Sequence, residues 1–297
     1  MSKNNKNKDN SCKNEENINS ETNSNKSGEN LPINGDYTNE TWEKKEEEKE
    51  NGSQMQDSRK EETDYICLVN NYPLGSGIDR VSRIEKLITE SIADVTLKNV
   101  HYSQFHKEYI ENAIGIILTG SVFNVSSFYY DEGLRGQFKP QFDFLLNVKD
   151  IPILGICFGL HLIAYSYGAQ ICRMRNPNWG ENIIKIQLVE SDDLIDDKEI
   201  PVNIFHRDFV PINDLKVREN FEIISQTTID RYKIVEYMRH KNKPIYAVQF
   251  HPETHEKDCF KTTKFDRELA NKTRLVGEKI IDHFIWHCVY YKNKLKN

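Results

Sequence analysis

Apolar positions follow two different spacings in the chain after residue 63, and the two alternate. Short apolar runs predict buried strands at Tyr65–Asn70, Val95–Tyr102, Ile114–Leu118 and Ile151–Ile156. Between these runs, apolar residues recur every three or four positions, as in helices that pack one face on a sheet. Such helices are predicted at Ile78–Ile88, Gln104–Asn112 and Leu134–Val148. Alternating strands and helices imply right-handed crossovers, so we predict an open, mostly parallel, flavodoxin-like α/β sheet with helices on both faces.

The second half of this region is richer in strands and ends in a helix. Strands are predicted at Ile183–Val189, Val202–Phe205, Phe221–Gln226, Ile234–Tyr237 and Ile245–Phe250, and a helix at Asp266–Tyr290. The loops with candidate functional residues all follow strands. Open α/β sheets bind their ligands beyond the carboxyl ends of the strands, so we expect the site there.

Residues 1–62 differ in composition from the rest of the chain. This segment is rich in Asn, Lys, Glu and Ser and has few aliphatic residues, so it buries too little apolar surface to offset the entropy of ordering. We predict a disordered tail at residues 1–62 and one α/β domain at residues 63–297. The tail has ten Lys and Arg against fifteen Asp and Glu, which accounts for −5 of the total charge of −6.

Charge and composition exclude several classes of protein. The predicted domain is nearly neutral, whereas a nucleic-acid binder normally carries a basic patch, so we expect no nucleic-acid partner. A run of eighteen apolar residues is absent from the sequence, as is an apolar leader near Met1, so we expect a cytosolic protein without membrane contact. The six cysteines are scattered without a CxxC pair, so neither a disulfide nor a structural zinc site is expected. His255 and Cys259 alone are too few to predict a metal site.

A sharp turn from strand to helix is predicted in the heptapeptide GICFGLH, Gly155–His161. Gly155 and Gly159 leave room there for the neighbouring backbone, and such an elbow predicts a positive φ at Cys157. The peptide N–H groups at the start of the helix favour a thiolate, so Cys157 is a candidate nucleophile. A lone buried cysteine is more often a small core residue, so this assignment depends on its neighbours.

The downstream stretch AVQFHPE supplies His251 and Glu253 at the end of a predicted strand. Cysteine, histidine and a carboxylate are the groups that acyl transfer uses, with His251 as the base and Glu253 as the group that orients it. A His-Pro pair by itself is usually a turn. The loop after IGIILTGS adds backbone N–H groups. We expect the amides of Phe158 and Ser121 to form an oxyanion hole for a tetrahedral intermediate.

Together, GICFG, ILTGS and FHPE resemble the motifs of the class I glutamine amidotransferase family, which includes the glutaminase of GMP synthase and γ-glutamyl peptidases. The resemblance extends from about Tyr65 to about Trp286 in the family's motif order. It implies that Cys157 attacks the side-chain amide of glutamine, forms a γ-glutamyl thioester and releases ammonia. His251 would shuttle the proton and Glu253 would hold the imidazole, without a cofactor or a metal.

Two positions depart from the family's pattern, and a third matches it. The oxyanion loop usually contains Gly-Gly, and here Gly120-Ser121 keeps the amide. His161 stands four residues after the nucleophile, where the family normally has a glutamine that holds the γ-glutamyl group. An imidazole also forms hydrogen bonds, so Gly120 and His161 are predicted to bind substrate. His206 begins a segment that resembles the family's His-x-Asp and is predicted near the substrate, although a surface turn with a local ion pair is an equal interpretation.

The predicted activity is therefore hydrolysis of a γ-glutamyl amide, with glutamine or another γ-glutamyl compound as substrate. Only forty-six residues follow His251, whereas GMP synthase carries its acceptor domain after the glutaminase. The chain is expected either to deliver ammonia to a separate synthetase subunit or to hydrolyse the γ-glutamyl bond alone. The alternative is a catalytically weak regulatory module that has lost affinity for glutamine through His161. Retention of all three triad residues argues against that alternative.

Overall fold

A mixed seven-stranded sheet is the framework of the protein. The computed structural model describes residues 64–93, 95–110, 112–175, 182–254 and 266–296, so the tail predicted for residues 1–62 lies outside the described residues. The strands of the described residues are β1 (Tyr65–Asn70), β2 (Thr96–His101), β3 (Ala113–Leu118), β4 (Ile153–Ile156), β5 (Cys172–Arg173), β6 (Asn182–Gln187), β7 (Glu199–Ile204), β8 (Asp208–Phe209), β9 (Phe221–Ile229), β10 (Tyr232–His240) and β11 (Ile245–Val248).

The strand order of the large sheet is β2-β1-β3-β4-β11-β10-β9. Its first five strands are parallel neighbours, and β10 is antiparallel to both β11 and β9. The pairs β5–β8 and β6–β7 form two separate two-stranded sheets. This arrangement confirms the predicted open, mostly parallel fold, with an antiparallel extension at one edge.

Helices cover both faces of the sheet. They are α1 (Ile78–Thr89), α2 (Glu132–Asn147), α3 (Phe158–Ser166), α4 (Leu215–Asn220) and α5 (Arg267–Lys296). Apolar residues of α1 and α5 pack in one core cluster, and those of α2 and α3 pack in another. The alternation of β1 sends Ile66 and Leu68 to the first cluster and Cys67 and Val69 to the second. Both faces of the central strands β3, β4 and β11 are buried, so these three strands are apolar throughout, whereas the edge strand β2 is largely polar.

The structure differs from the sequence-based expectations in three places. Gln104–Asn112 is not one helix: two short 3₁₀ turns, Tyr102–Gln104 and Lys107–Tyr109, are joined by extended backbone at Phe105, and Phe105 and Ile110, which follows the second turn, are both buried. The sequence did not predict α4, β5 or β8, because elements of two to six residues are too short to show a period. Cys172 is disulfide-bonded, so the expectation that the chain has no disulfide is wrong. Cys67, Cys157 and Cys288 are free.

The parallel strands place their carboxyl ends at one edge of the sheet. The segments that follow β1, β3, β4 and β11 begin with Asn71, Thr119, Cys157 and Gln249. The predicted nucleophile, base and oxyanion loop therefore come to the same edge of the sheet, although they are far apart in sequence.

Candidate functional site

Cys157 occupies a strained turn between β4 and α3. Its backbone has φ 51° and ψ −96°, which confirms the predicted positive φ, and α3 begins at the next residue. The glycines on either side allow this close turn. A Cβ at Gly159 would lie 2.5 Å from the carbonyl oxygen of Leu118, and one at Gly155 would lie 2.8 Å from the backbone of Gly159. Larger residues would push the elbow away from β3, because backbone atoms cannot move aside cheaply.

Apolar packing anchors the start of α3. The Phe158 side chain is buried, and its ring lies 5.1 Å from that of Phe138 and 6.3 Å from that of Phe128, measured between centroids. The side chain thus points into the core while the Phe158 amide lies at the first turn of the helix. N–H groups of a first turn have no acceptor within the helix, so this amide is available to a ligand.

The His251 ring lies between two hydrogen-bond acceptors. Its Nδ1 is 2.8 Å from Oε1 of Glu253, and its Nε2 is 3.4 Å from the carbonyl oxygen of Phe205. The sulfur of Cys157 lies 3.9 Å from the same Phe205 oxygen. Because acceptors face both ring nitrogens, this geometry favours the protonated imidazolium.

Electrostatics favour the same protonation state. Burial and the Arg80 cation both lower the pKa of His251, but Glu253 and Cys157 outweigh them and raise that pKa to about 9. Burial raises the pKa of Glu253, and the charge of His251 and its hydrogen bond, with Arg80, bring that pKa down to about 2. At neutral pH the pair is thus an ionised carboxylate and an imidazolium.

Hydrogen bonds under the loop after β3 hold it beside His251. The Ser121 hydroxyl donates to the backbone carbonyl oxygen of Asn71 at 2.7 Å. The backbone N–H of Asn71 donates to Oγ1 of Thr119 at 2.9 Å. A Cβ at Gly120 would lie 3.0 Å from Cε1 of His251. Gly120 is therefore in close contact with the imidazole, and the neighbouring Ser121 lies on the same fixed loop.

His161 is joined to Cys157 through a second side chain. His161 is buried, and its Nε2 is 2.8 Å from Oε1 of Gln249. The Gln249 amide nitrogen donates to the sulfur of Cys157 at 3.8 Å. Burial lowers the pKa of His161, so the ring is neutral and donates one proton. Donation from Nε2 to Gln249 directs the amide N–H groups of that side chain toward the sulfur.

His206 and Asp208 are buried, whereas Arg207 between them is exposed, which argues against a simple surface turn. Nδ1 of His206 donates to the Asp208 carbonyl oxygen at 2.9 Å, whereas its buried Nε2 has no partner among the described residues. Burial, followed by the proximity of the His161 imidazole, lowers the pKa of His206 to about 3, so this nitrogen is an acceptor. The Asp208 carboxylate accepts hydrogen bonds from the amide and hydroxyl of Ser126 and from Arg173.

Three residues of this arrangement carry no motif that marks them in the sequence. Gln249 directly precedes FHPE but follows the end of β11, so no strand period indicates its contact with Cys157. Phe205 acts through its backbone carbonyl, so its side-chain identity gives no signal. Arg80 lies on α1, 173 residues before its partner Glu253, and only the fold brings the two together.

The part of the chain that the structure describes contains neither a candidate metal site nor a candidate membrane-spanning helix. There, no group of three or more His, Cys, Asp or Glu side chains is arranged to hold a metal ion. The candidate pair His255 and Cys259 lies outside that part. Among the described helices, none combines the length and the apolar composition that crossing a membrane requires.

Comparison with known proteins defines the class of protein to which this fold and site correspond. The sequence model of the class I glutamine amidotransferase family matches residues 78–267, which include all the residues of the site described above except Asn71. The chain belongs to the class I glutamine amidotransferase family.

Relatives within this family include glutamine-hydrolysing subunits of GMP synthase. The one from Methanocaldococcus jannaschii is 41% identical over 113 residues, which are 37% of this chain and 55% of that protein. The corresponding GMP synthase subunit of Thermoplasma volcanium is 29% identical over 187 residues, which are 62% and 75% of the two chains. The chain thus matches about half the length of the first of these relatives.

Solved structures share the fold. The crystal structure of a GMP synthase subunit from Thermoplasma acidophilum superposes with a TM-score of 0.59 at 24% identity, covering 79% of this chain and 98% of the other. A glutamine amidotransferase from Thermotoga maritima gives a TM-score of 0.56 at 16% identity, covering 76% and 98%. At these identities the similarities establish the fold alone, so the chemistry is argued from the residues of the site.

Proposed function

We propose that this protein hydrolyses the side-chain amide of glutamine through a Cys157 thioester and that residues 63–297 form the catalytic domain. The observation that carries the proposal is the orientation of the His251 ring. Its Nδ1 is hydrogen-bonded to Glu253, and its Nε2 faces the same Phe205 carbonyl oxygen as the Cys157 sulfur. A thiolate beside an imidazolium that a carboxylate orients is the arrangement that activates a cysteine for attack on an amide.

In the first half of the reaction, the Cys157 thiolate attacks Cδ of glutamine and a tetrahedral oxyanion forms. The amides of Phe158 and Ser121 would donate to that oxygen. His251 passes its Nε2 proton to the amide nitrogen and the C–N bond breaks. Ammonia departs, and the γ-glutamyl group remains on Cys157 as a thioester. His251, now neutral, takes a proton from water, whose oxygen attacks the thioester. The C–S bond then breaks, glutamate leaves, and the thiolate is restored.

Substrate binding is assigned to Gly120, His161 and His206. The buried Nε2 of His206 lacks a partner among the described residues, and a substrate N–H would satisfy it. Because Gly120 has no side chain, the space beside the His251 ring, which a Cβ would fill, stays open for the substrate. His161 acts in this proposal through Gln249.

In this proposal, the released ammonia is delivered to a separate synthetase subunit. Support comes from the relatives that are named as glutamine-hydrolysing subunits of GMP synthase, which implies a further subunit for those proteins. Two alternatives compete with this proposal. The protein would either hydrolyse other γ-glutamyl compounds or act as a catalytically weak regulatory module, and the following experiment separates these alternatives.

The test is release of ammonia and glutamate from glutamine by the full chain, compared with γ-glutamyl dipeptides. Wild type is expected to hydrolyse glutamine, and Cys157→Ser is expected to reduce kcat by at least about 10³-fold. Turnover of dipeptides but not glutamine would overturn the proposed substrate. Absence of turnover on every substrate would favour the regulatory module.

A diazoketone analogue of glutamine provides an independent measurement of the nucleophile. Mass mapping should place the adduct on Cys157. The other free cysteines of the described residues, Cys67 and Cys288, serve as internal controls, because both are buried in the core and burial raises the pKa of Cys67 to about 12. Labelling of either one in preference to Cys157 would refute the assignment.

A further inference from the structure

Arg80 contacts the two groups that hold the His251 ring. Nη1 of Arg80 is 3.3 Å from Oε1 of Glu253, the same oxygen that accepts from Nδ1 of His251. The Arg80 guanidinium carbon also lies 5.8 Å from the centroid of the Phe205 ring, within the range of cation–π attraction. Phe205 in turn presents its carbonyl oxygen to Nε2 of His251. One side chain thus contacts the partners of both ring nitrogens.

The ion pair between Arg80 and Glu253 is largely removed from water. The Glu253 side chain is fully buried and that of Arg80 is 19% exposed. Oε2 of Glu253 has no partner among the described residues, so Oε1 carries both the Arg80 and the His251 contacts. A buried carboxylate whose contacts concentrate on one oxygen has a fixed orientation, because rotation would break both of them.

We propose that Arg80 is a positioning residue of this site, which fixes Glu253 and the Phe205 backbone on the two sides of the His251 ring. The assignment rests on the proposed function, since it concerns how the ring moves a proton during glutamine hydrolysis. It does not require contact between Arg80 and the substrate.

Arg80 also acts on the charge of the ring that it helps to hold. Its cation opposes protonation of His251, whereas Glu253 and Cys157 favour it. Without Arg80, the pKa of His251 should rise further above its ordinary value. A more basic imidazole gives up its proton less readily, so protonation of the departing amide nitrogen should slow.

A pH measurement on His251 reports on all the groups around the ring, which come from several elements. The charged and titratable groups that face it are Tyr72 after β1, Arg80 on α1, Cys157 and His161 at α3, His206 before β8, and Glu253 after β11. None of the other five is changed in the test, so a shift in the pKa of His251 is attributable to Arg80.

The test compares Arg80→Met and Arg80→Lys in the full chain. Arg83→Met is the matched control, because Arg83 lies one turn further along α1, has similar exposure and pairs with Glu278 of α5 instead of Glu253. We expect Arg80→Met to lower kcat for glutamine about tenfold or more with little change in KM, because loss of orientation of a catalytic group affects the chemical step. Arg80→Lys keeps the charge and should lose less activity.

The second readout is the NMR titration of the His251 ring, which does not depend on turnover. We expect the pKa of His251 to be higher in Arg80→Met than in wild type, and unchanged in Arg83→Met. Equal kcat values and equal titrations for Arg80→Met and Arg83→Met would overturn the proposal, since they would indicate an effect on α1 as a whole.

The two proposals fail in different ways. If wild type neither hydrolyses glutamine nor reacts with the diazoketone, the proposed function fails, and the titration still measures the effect of Arg80 on His251. If wild type is active and Arg80→Met retains both its kcat and its titration, only the role of Arg80 fails.

Discussion

The nucleophile and the base of this site are held in place by different forces. The Cys157 elbow is fixed by sterics and apolar packing, with glycines two residues away on each side and the Phe158 ring in the core. The His251 segment is fixed by polar contacts with distant residues. Glu253 is bonded to Arg80 across 173 positions, and His251 faces Phe205 across 46.

This difference predicts how each region responds to substitution. Contacts at the elbow are short-range and fail when an atom is added, because close-packed backbone has no space to accept it. Contacts around His251 depend on charge, so they respond to pH and to neutral isosteres that leave the shape intact. The following predictions test this contrast between a sterically defined nucleophile and an electrostatically defined base.

The largest effect is expected from adding one methyl group at the elbow. Gly159→Ala places a Cβ 2.5 Å from the Leu118 carbonyl oxygen, so we expect a loss of about 2 to 3 kcal/mol in the free energy of unfolding. Gly136 is the matched control, since it lies inside α2 and a Cβ there meets no atom within 4 Å. Gly136→Ala should stabilise the protein by about 0.5 to 1 kcal/mol. Urea unfolding measures both changes, and a similar loss in each would contradict a steric elbow.

A smaller, pH-dependent effect is expected from neutralising the carboxylate. The pKa of His251 is raised from 6.5 to about 9, so its contribution to stability is complete below pH 6.5 and is lost as pH rises through 9. The pKa of Glu253 is lowered from 4.5 to about 2, so its contribution is present above pH 4.5 and is lost as pH falls through 2.

Glu253→Gln should therefore flatten the decline in stability between pH 6.5 and 9 while leaving the elbow intact. The free energy of unfolding at a series of pH values measures this decline in wild type and variant. Parallel pH profiles for the two proteins would show that the base segment is not held by charge.

The smallest effect is expected at His161, where the two regions meet through Gln249. His161→Leu removes the donor that orients the Gln249 amide toward Cys157, so kcat/KM for glutamine should fall several-fold, as for loss of one neutral hydrogen bond of about 0.5 to 1.5 kcal/mol. His161→Gln retains a donor at this position, so we expect it to lose less kcat/KM than His161→Leu. Steady-state kinetics that show no change in either variant would remove His161 from the site.

Local patterns were sufficient for much of the fold. The boundaries of β1, the apolar period of α1 and the parallel order of β1, β3 and β4 all follow from spacing, because buried strands and amphipathic helices leave periodic signals. The 3₁₀ turns around Phe105 and the short α4 lacked that signal. Their conformation depends on which side chains the surrounding core accepts, and a single sequence does not contain that information in periodic form.

The sequence by itself determined the elbow at Cys157, since the glycines that permit it are its near neighbours in the chain. It also placed His251 and Glu253 two residues apart at the end of a strand. Only the tertiary structure decided what surrounds that base, because Arg80 reaches Glu253 from α1 and Phe205 presents its carbonyl oxygen to the His251 ring from the end of β7. Hydrogen bonds and ion pairs between segments distant in sequence have no period and no fixed spacing, so they exist only once the sheet has brought those segments to one edge.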